Sequence, residues 1–314
     1  ANSNIENERK KKSNSFKIKM EYCKKPKISE TNDSIEMSKE KDLELELDSN
    51  HVNEEEYMEE ILDNFYTEEE NNRFKINPNY FKLQTEINSK MRIILIDWLF
   101  EVNNKLKFRE ETFYTTIYII DAYLSKKFIQ RKKFQLLGVT ALYIATKLNE
   151  IFSGSVKDYV FMTDRAYNES DIITMESDIC KTLNFNFLVP HCLSFFQIFS
   201  KKFGLDKDSE EYQFGIFIIQ NFLMNSKSFN YNYSIISIAS CNLIVKLFEK
   251  DKNINFDLFY RDSLSFIEDC SKNICDAINE TLNSNMNLSV KKYYYGKYSE
   301  NIKKLISLYN YKCK

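Results

Sequence analysis

From Tyr57 onward, apolar residues return every three or four positions, the period of a helix with one buried face. Tyr57, Ile61, Leu62 and Phe65 form such a stripe, and Glu54 to Glu56 ahead of it suit the positive end of a helix dipole. A helix over 52–71 is predicted. Pro78 then marks an extended connector, and Ser89 is placed to cap the next helix. That helix differs from the first. Its run Met91-Arg92-Ile93-Ile94-Leu95-Ile96-Asp97-Trp98-Leu99-Phe100-Glu101-Val102 is apolar nearly all round, as in a helix buried on several sides, and holds the only tryptophan. Burying Arg92 within it costs several kcal/mol unless an acid meets it. Asp121, Glu150 and Glu176, charged residues on later helices that otherwise look buried, are the candidate acids.

Four further helical patterns cover 111–128, 133–150, 156–163 and 170–183. After a connector at 184–190, five more cover 191–203, 208–226, 231–250, 255–263 and 265–282. The second block repeats the first in length and order, and the third helix of each is strongly apolar (Leu136 to Ala145, Ile235 to Val245). The two blocks are not alike residue by residue. Residues 283–314, rich in Tyr and Lys, read as a C-terminal helix packing on the second block. The expected fold class is all-α: two tandem five-helix domains with an extra N-terminal helix and a C-terminal extension. The boundaries are a polar tail over 1–50, helix and connector over 51–87, domains over 88–188 and 189–290, and the extension over 291–314.

Composition supports long helices with short connections, since 314 residues contain only five Gly and three Pro. The first 50 residues carry few large apolar side chains and read as a flexible tail. Their basic clusters, Arg9-Lys10-Lys11-Lys12 and Lys24-Lys25-Pro26-Lys27, fit a solvated tail or a nuclear import signal. A net charge of −2 supplies no overall field for nucleic acid. No apolar run reaches 18 residues and no secretory signal is visible, although a chain starting at Ala1 could have lost one. The seven cysteines (Cys23, Cys180, Cys192, Cys241, Cys270, Cys275, Cys313) form no CxxC pair and read as reduced thiols, with neither zinc nor disulfide framework. With only His51 and His191, no Gly-rich phosphate loop and no nucleophile motif, neither a catalytic apparatus nor a cofactor is expected.

The charged residues within the apolar helices carry a resemblance. The sequence Met91-Arg92-x-Ile94-Leu95-x-Asp97-Trp98-Leu99-x-Glu101-Val102 resembles the cyclin family, specifically the A/B-type mitotic cyclins. So do Glu111-Thr112, Tyr118-x-Ile120-Asp121-x-Tyr123-Leu124-Ser125, Gln135-Leu136-x-Gly138, Ala145-x-Lys147, Glu150-Ile151, Thr163-Asp164-x-x-Tyr167, Met175-Glu176 and Leu183-x-Phe185. Five positions typical of the cyclin box are filled by Arg92, Asp121, Leu136, Lys147 and Glu176. The likeness is dense over 88–190, weaker over 191–290 and absent from the first 50 residues.

This resemblance implies a non-catalytic regulatory subunit that binds and activates a cyclin-dependent Ser/Thr kinase in cell-cycle control, in nucleus and cytoplasm, with no nucleic-acid or membrane partner. Arg92 and Asp121 would form a structural ion pair. Lys147, Glu176, Leu148, Ile151, Cys180 and Phe185 would contact the kinase. Met91, Ile94, Leu95, Trp98, Glu101 and Gln135 would bind Arg-x-Leu-type substrate or inhibitor peptides, Glu101 meeting the arginine. Four departures bear on kinase choice and docking strength: Asn149 for an acid, Leu148 for an aromatic, Ala122 for a basic residue and Phe134 for a smaller aliphatic. No Arg-x-x-Leu destruction signal is visible in the first 50 residues. The competing readings are a cyclin-fold scaffold that activates nothing and a cyclin-box transcription factor. The latter class carries a zinc ribbon and a basic face, and neither is seen.

Overall fold

The computed structural model describes residues 54–248, 264–284 and 289–310. The chain divides into two units, 1–61 and 62–314, and of the first only the start of one helix is described. Every α-helix or 3-10 turn lies in a fully helical fold, with no strand among the described residues. The helices are α1 Glu54–Glu70, α2 Ser89–Leu106, α3 Glu110–Lys126, α4 Phe134–Asn149, α5 Val156–Met162 and α6 Glu169–Leu183. After these come α7 Cys192–Lys202, α8 Glu210–Met224, α9 Tyr233–Leu247, α10 Leu264–Asn283 and α11 Ser289–Asn310. α1 and α3 to α10 begin and end within three residues of their periodic patterns, whereas α11 starts six residues into the segment 283–314. The helix expected over 255–263 and the N-terminal tail with its basic clusters lie outside the described residues.

One local reading needs correction. The cap of α2 is Asn88, not Ser89: Asn88 is extended (φ −129°, ψ 172°) and its Oδ1 accepts from Met91 N at 3.0 Å. Asn and Ser cap almost equally well, so composition alone does not choose between neighbours. As expected, α2 is buried on several sides, and one face of it stays open. Arg92, Leu95, Ile96, Leu99, Phe100, Val102 and Asn103 are buried, but Ile94 is 59% exposed and Met91, Trp98 and Glu101 are half-buried. Apolar content tells that a face leaves water, not whether the chain's own core or another molecule covers it.

Helices α3 and α4 are the buried centre of the first block; α3 is buried from Thr112 to Leu124. α4 packs on α3, α6 and α2. Gly138 brings α2 close: a Cβ there would lie 2.6 Å from Leu95 Cδ1. In the second block α9 is nearly wholly buried, packed against α7, α8 and α10. Tyr66 and Phe65 at the end of α1 meet Phe195 of α7 at 5.5 and 5.6 Å. The carboxylate of Glu69 accepts from Ser234 N at 2.9 Å, at the positive end of α9. Through Tyr298, Ile302 and Leu305, α11 enters the same core, touching α10, α8 and α9 and also α2 of the first block.

His191, N-cap of α7, is buried, stacked on Tyr114 at 5.3 Å with Ser194 Oγ 3.3 Å from Nδ1. Burial lowers its pKa to about 4, against the opposing charge of Glu111. Between the unfolded value near 6.5 and the folded value near 4, the unfolded chain binds the extra proton, so stability falls as pH falls through this window. Complete passage costs roughly 3 kcal/mol. Urea unfolding from pH 7 to pH 4 is expected to show this loss, and His191→Gln to flatten it; equal slopes for both proteins contradict the assignment.

Candidate functional site

The charged residues that interrupt the apolar helices separate into a buried junction and two exposed faces. At the junction, Arg92 meets Asp121 by two bonds, Nε to Oδ1 at 2.7 Å and Nη2 to Oδ2 at 2.6 Å. Both side chains are buried. Of the acids available in the sequence, Asp121 is the one paired with Arg92. Tyr80 donates to Asp121 Oδ1 at 2.9 Å. Arg92 Nη1 donates to the carbonyls of Leu223 and Met224, each at 2.9 Å, and its guanidinium lies over the Phe229 ring at 4.7 Å. Those carbonyls close α8, where the last turn has no helical donors of its own. One arginine thus satisfies a buried acid in the first block and a helix end in the second.

The first exposed face lies at the C-terminal ends of α4 and α6. Lys147 of α4 is ion-paired with Glu176 of α6 and sits over the Tyr143 ring at 4.1 Å. Lys147 is 36% exposed and Glu176 22%, so the pair is assembled yet open to solvent. Exposed apolar side chains follow at the same two helix ends: Leu148 and Ile151 (107%) after Lys147, and Phe185 (72%) just past α6. Cys180, half-buried in α6, has its thiol pKa raised by burial and by the charge of Glu176; it is a neutral contact surface. Phe152, Ile173 and Leu188 are also exposed apolar residues, and the sequence reading did not single them out. For Phe152 the signal was present, because Ile151-Phe152 is an apolar pair just past a helix end.

Both projecting segments are held from beneath. Glu150 Oε1 accepts from Arg109 N at 2.7 Å and Thr112 Oγ1 at 2.6 Å, anchoring the loop to the start of α3. Tyr159, buried, donates to the Ser153 carbonyl at 2.6 Å on the other side. Gly154, with φ +76°, turns the chain between them. Ile151 and Phe152 therefore stand out between two anchors. At the end of α6, Asn184 and Phe185 both take positive φ (49° and 58°), a conformation costly for residues with a Cβ. Phe185 N bonds Cys180 O at 3.0 Å, closing the helix while its ring faces water.

The second face runs along α2 and the start of α4. Ile94 is exposed, and Met91, Trp98 and Gln135 are half-buried. Leu95 is 6% exposed and packs on Gly138, so it floors this face rather than opening onto it. Glu101 pairs with Lys105 at 2.8 Å on the surface of the same helix, an exchangeable contact. A carboxylate, an indole and an exposed isoleucine are thus aligned on successive turns.

Residues 60–188 match the family described as Cyclin, N-terminal domain. A G2/mitotic-specific cyclin-B of Hydra vulgaris is 38% identical over 166 residues, 53% of this chain and 45% of that protein. Cyclin-B2-1 of Oryza sativa subsp. japonica is 40% identical over 157 residues, covering 50% and 37% respectively. For G2/mitotic-specific cyclin-B2 of Gallus gallus the figures are 33% over 201 residues, 62% and 50%. The matches thus span half or less of the length of these curated relatives. Among solved structures, a viral cyclin from herpesvirus saimiri shares the fold with a TM-score of 0.60 and 17% identity, over 70% of this chain and 97% of that one. A chain of the yeast RNA Pol II CTD kinase CTDK-1 complex has a TM-score of 0.51 at 15% identity, over 62% and 66%.

Proposed function

We propose that this chain is a cyclin of the A/B mitotic type and, as such, the non-catalytic regulatory subunit of a cyclin-dependent Ser/Thr kinase in cell-cycle control, acting in nucleus and cytoplasm. We also propose that 88–188 and 189–290 are its two cyclin boxes. The observation that carries the kinase reading is the exposed apolar group around Lys147 and Glu176. Ile151 and Phe185 are largely open to solvent, yet anchored backbone holds both outward. A partner covering them gains the burial free energy without first ordering the loop. Lys147 and Glu176 in their midst suit hydrogen bonds to a partner's backbone.

Activation follows as a shift of population. A kinase is active when the helix bearing the glutamate of its Lys–Glu pair is seated and its activation loop is ordered. A subunit that binds this conformation more tightly raises its share by the ratio of the two affinities. The face along α2 has a second role in this proposal. Glu101 pairs the arginine of an Arg-x-Leu peptide, displacing Lys105, and Ile94, Trp98, Met91 and Gln135 receive the leucine, which brings substrates or inhibitors to the kinase. The test is Ser/Thr kinase activity of isolated cyclin-dependent kinases with and without this chain. Stimulation supports the proposal; unchanged activity across all of them contradicts it. Capture without stimulation identifies a scaffold.

A further inference from the structure

The turn between α3 and α4 carries more positive charge than the fold uses. Lys126, Lys127, Arg131, Lys132 and Lys133 fall within eight residues, with Phe128 exposed among them. Lys127 pairs with Asp178 at 2.6 Å. Asp178 is held below the usual carboxylate range, burial opposing and Lys127 and Tyr123 prevailing, with Lys133 adding to the effect. Among the described residues, no carboxylate pairs with Lys126, Arg131 or Lys132, all of which are exposed. Their cationic groups do not shape the turn either. Buried Gln84 donates to the carbonyls of Leu124 and Lys127, each at 2.8 Å, and accepts from Ile129 N at 3.1 Å. Glu86 accepts from Arg131 N at 2.9 Å, and Tyr167 donates to the Lys132 carbonyl at 2.7 Å. Backbone bonds fix the turn. Lys126, Arg131 and Lys132 add mutual repulsion to it rather than an ion pair.

These bonds also set the turn beside the peptide-docking face. Residues 84 and 86 lead directly into α2, and the 3-10 turn Arg131–Lys133 runs into α4, placing Arg131 about one helical turn before Gln135. Lys90, exposed in the first turn of α2, adjoins Met91. The face is therefore polar along its length. Glu101 stands at one end; Lys90, Arg131 and Lys132 stand at the other. The ten residue steps from Met91 to Glu101 rise about 15 Å. An extended peptide advances about 3.3 Å per residue. With its arginine on Glu101, leucine comes about 7 Å along, and the next two to four residues reach the cationic end.

We infer that the α3–α4 turn, with Lys90, is a cationic subsite selecting docking peptides that carry acidic side chains about two to four positions after the leucine. The inference rests on the docking role proposed for α2 and names the class of peptide that role prefers. Fluorescence anisotropy on the full chain tests it with three labelled peptides sharing an Arg-x-Leu core, followed by acidic, amide or basic residues. At low salt the acidic peptide is expected to bind about three- to tenfold more tightly than the amide one, the advantage fading toward ~0.5 M salt. Arg131→Glu/Lys132→Glu is expected to reverse that order while changing amide-peptide affinity less than about twofold. Ile94→Asp, a substitution at an exposed site, is expected to weaken all three. Equal binding of acidic and amide peptides, both lost in Ile94→Asp, overturns the subsite and leaves docking intact. No binding of any peptide overturns docking and the subsite together. Equally tight binding of an acidic peptide without the Arg-x-Leu core, or of a short single-stranded DNA, makes the turn a general polyanion surface and also overturns the inference.

Discussion

Arg92→Ala is expected to cost about 3–5 kcal/mol of folding stability, a large part of what a domain of this kind possesses. The magnitude follows from what stays behind. Asp121 remains buried with the Tyr80 hydroxyl still donating to it, a charge without a countercharge. The carbonyls of Leu223 and Met224 lose the donor that closes α8. The Phe229 ring loses its cation. Asp121→Ala is expected to be as damaging, since it strands the guanidinium instead. The pair itself is not the source of that energy. Replacing both residues with apolar ones of similar volume, as in Arg92→Met/Asp121→Leu, is expected to recover much of the loss, because no buried charge remains. Full recovery is not expected, since the two α8 carbonyls still lack their donor. Urea unfolding of the four proteins measures this; a single substitution costing under ~0.5 kcal/mol contradicts the account of the junction.

Ile151→Asp/Phe185→Asp is expected to abolish kinase capture while leaving stability within about 0.5 kcal/mol of wild type. Both side chains are exposed in the free chain, so charges there meet water rather than core. In the proposed complex the same carboxylates are buried against an apolar partner, where truncating an anchor alone costs on the order of 2–4 kcal/mol, or 30- to 1,000-fold in affinity. A carboxylate adds its own desolvation to that loss. The backbone anchors through Glu150, Tyr159 and Cys180 do not involve either altered side chain. Loss of capture together with a fall in melting temperature places these residues in the fold instead. Retained capture places the kinase face elsewhere.

How far the sequence announced this varies with the range of the interaction. Helices were legible because periodicity and capping act within a few residues: Asn168 and Asp171 bond each other's backbone at 2.9 Å at the start of α6. The need for an acid opposite Arg92 was legible from the cost of burying it alone. Its choice of Asp121 over Glu150 or Glu176 came only from the family resemblance, since nothing local distinguishes three carboxylates on three helices. The carbonyls of Leu223 and Met224, 131 and 132 residues away, carry no sequence signal, because every residue has a carbonyl. The apolar character of α2 was visible, but an open position for Ile94 came only from the resemblance, because binding surface and core share one composition. Glu150 shows the same limit from the other side. Its charge stood out in the sequence, while its role, holding a loop against Arg109 and Thr112, became clear only in three dimensions.

The central claim is that the surface around Lys147 and Glu176 engages and activates a kinase. Its most direct test is Ser/Thr kinase activity, assayed with wild-type chain, with the Lys147→Ala/Glu176→Ala variant and with neither. Both side chains lie at the surface, so the variant is expected to fold as wild type does. Strong stimulation by the wild-type chain, and little or none by an equally folded variant, is the predicted result. Equal stimulation by both, or none by either, contradicts the account.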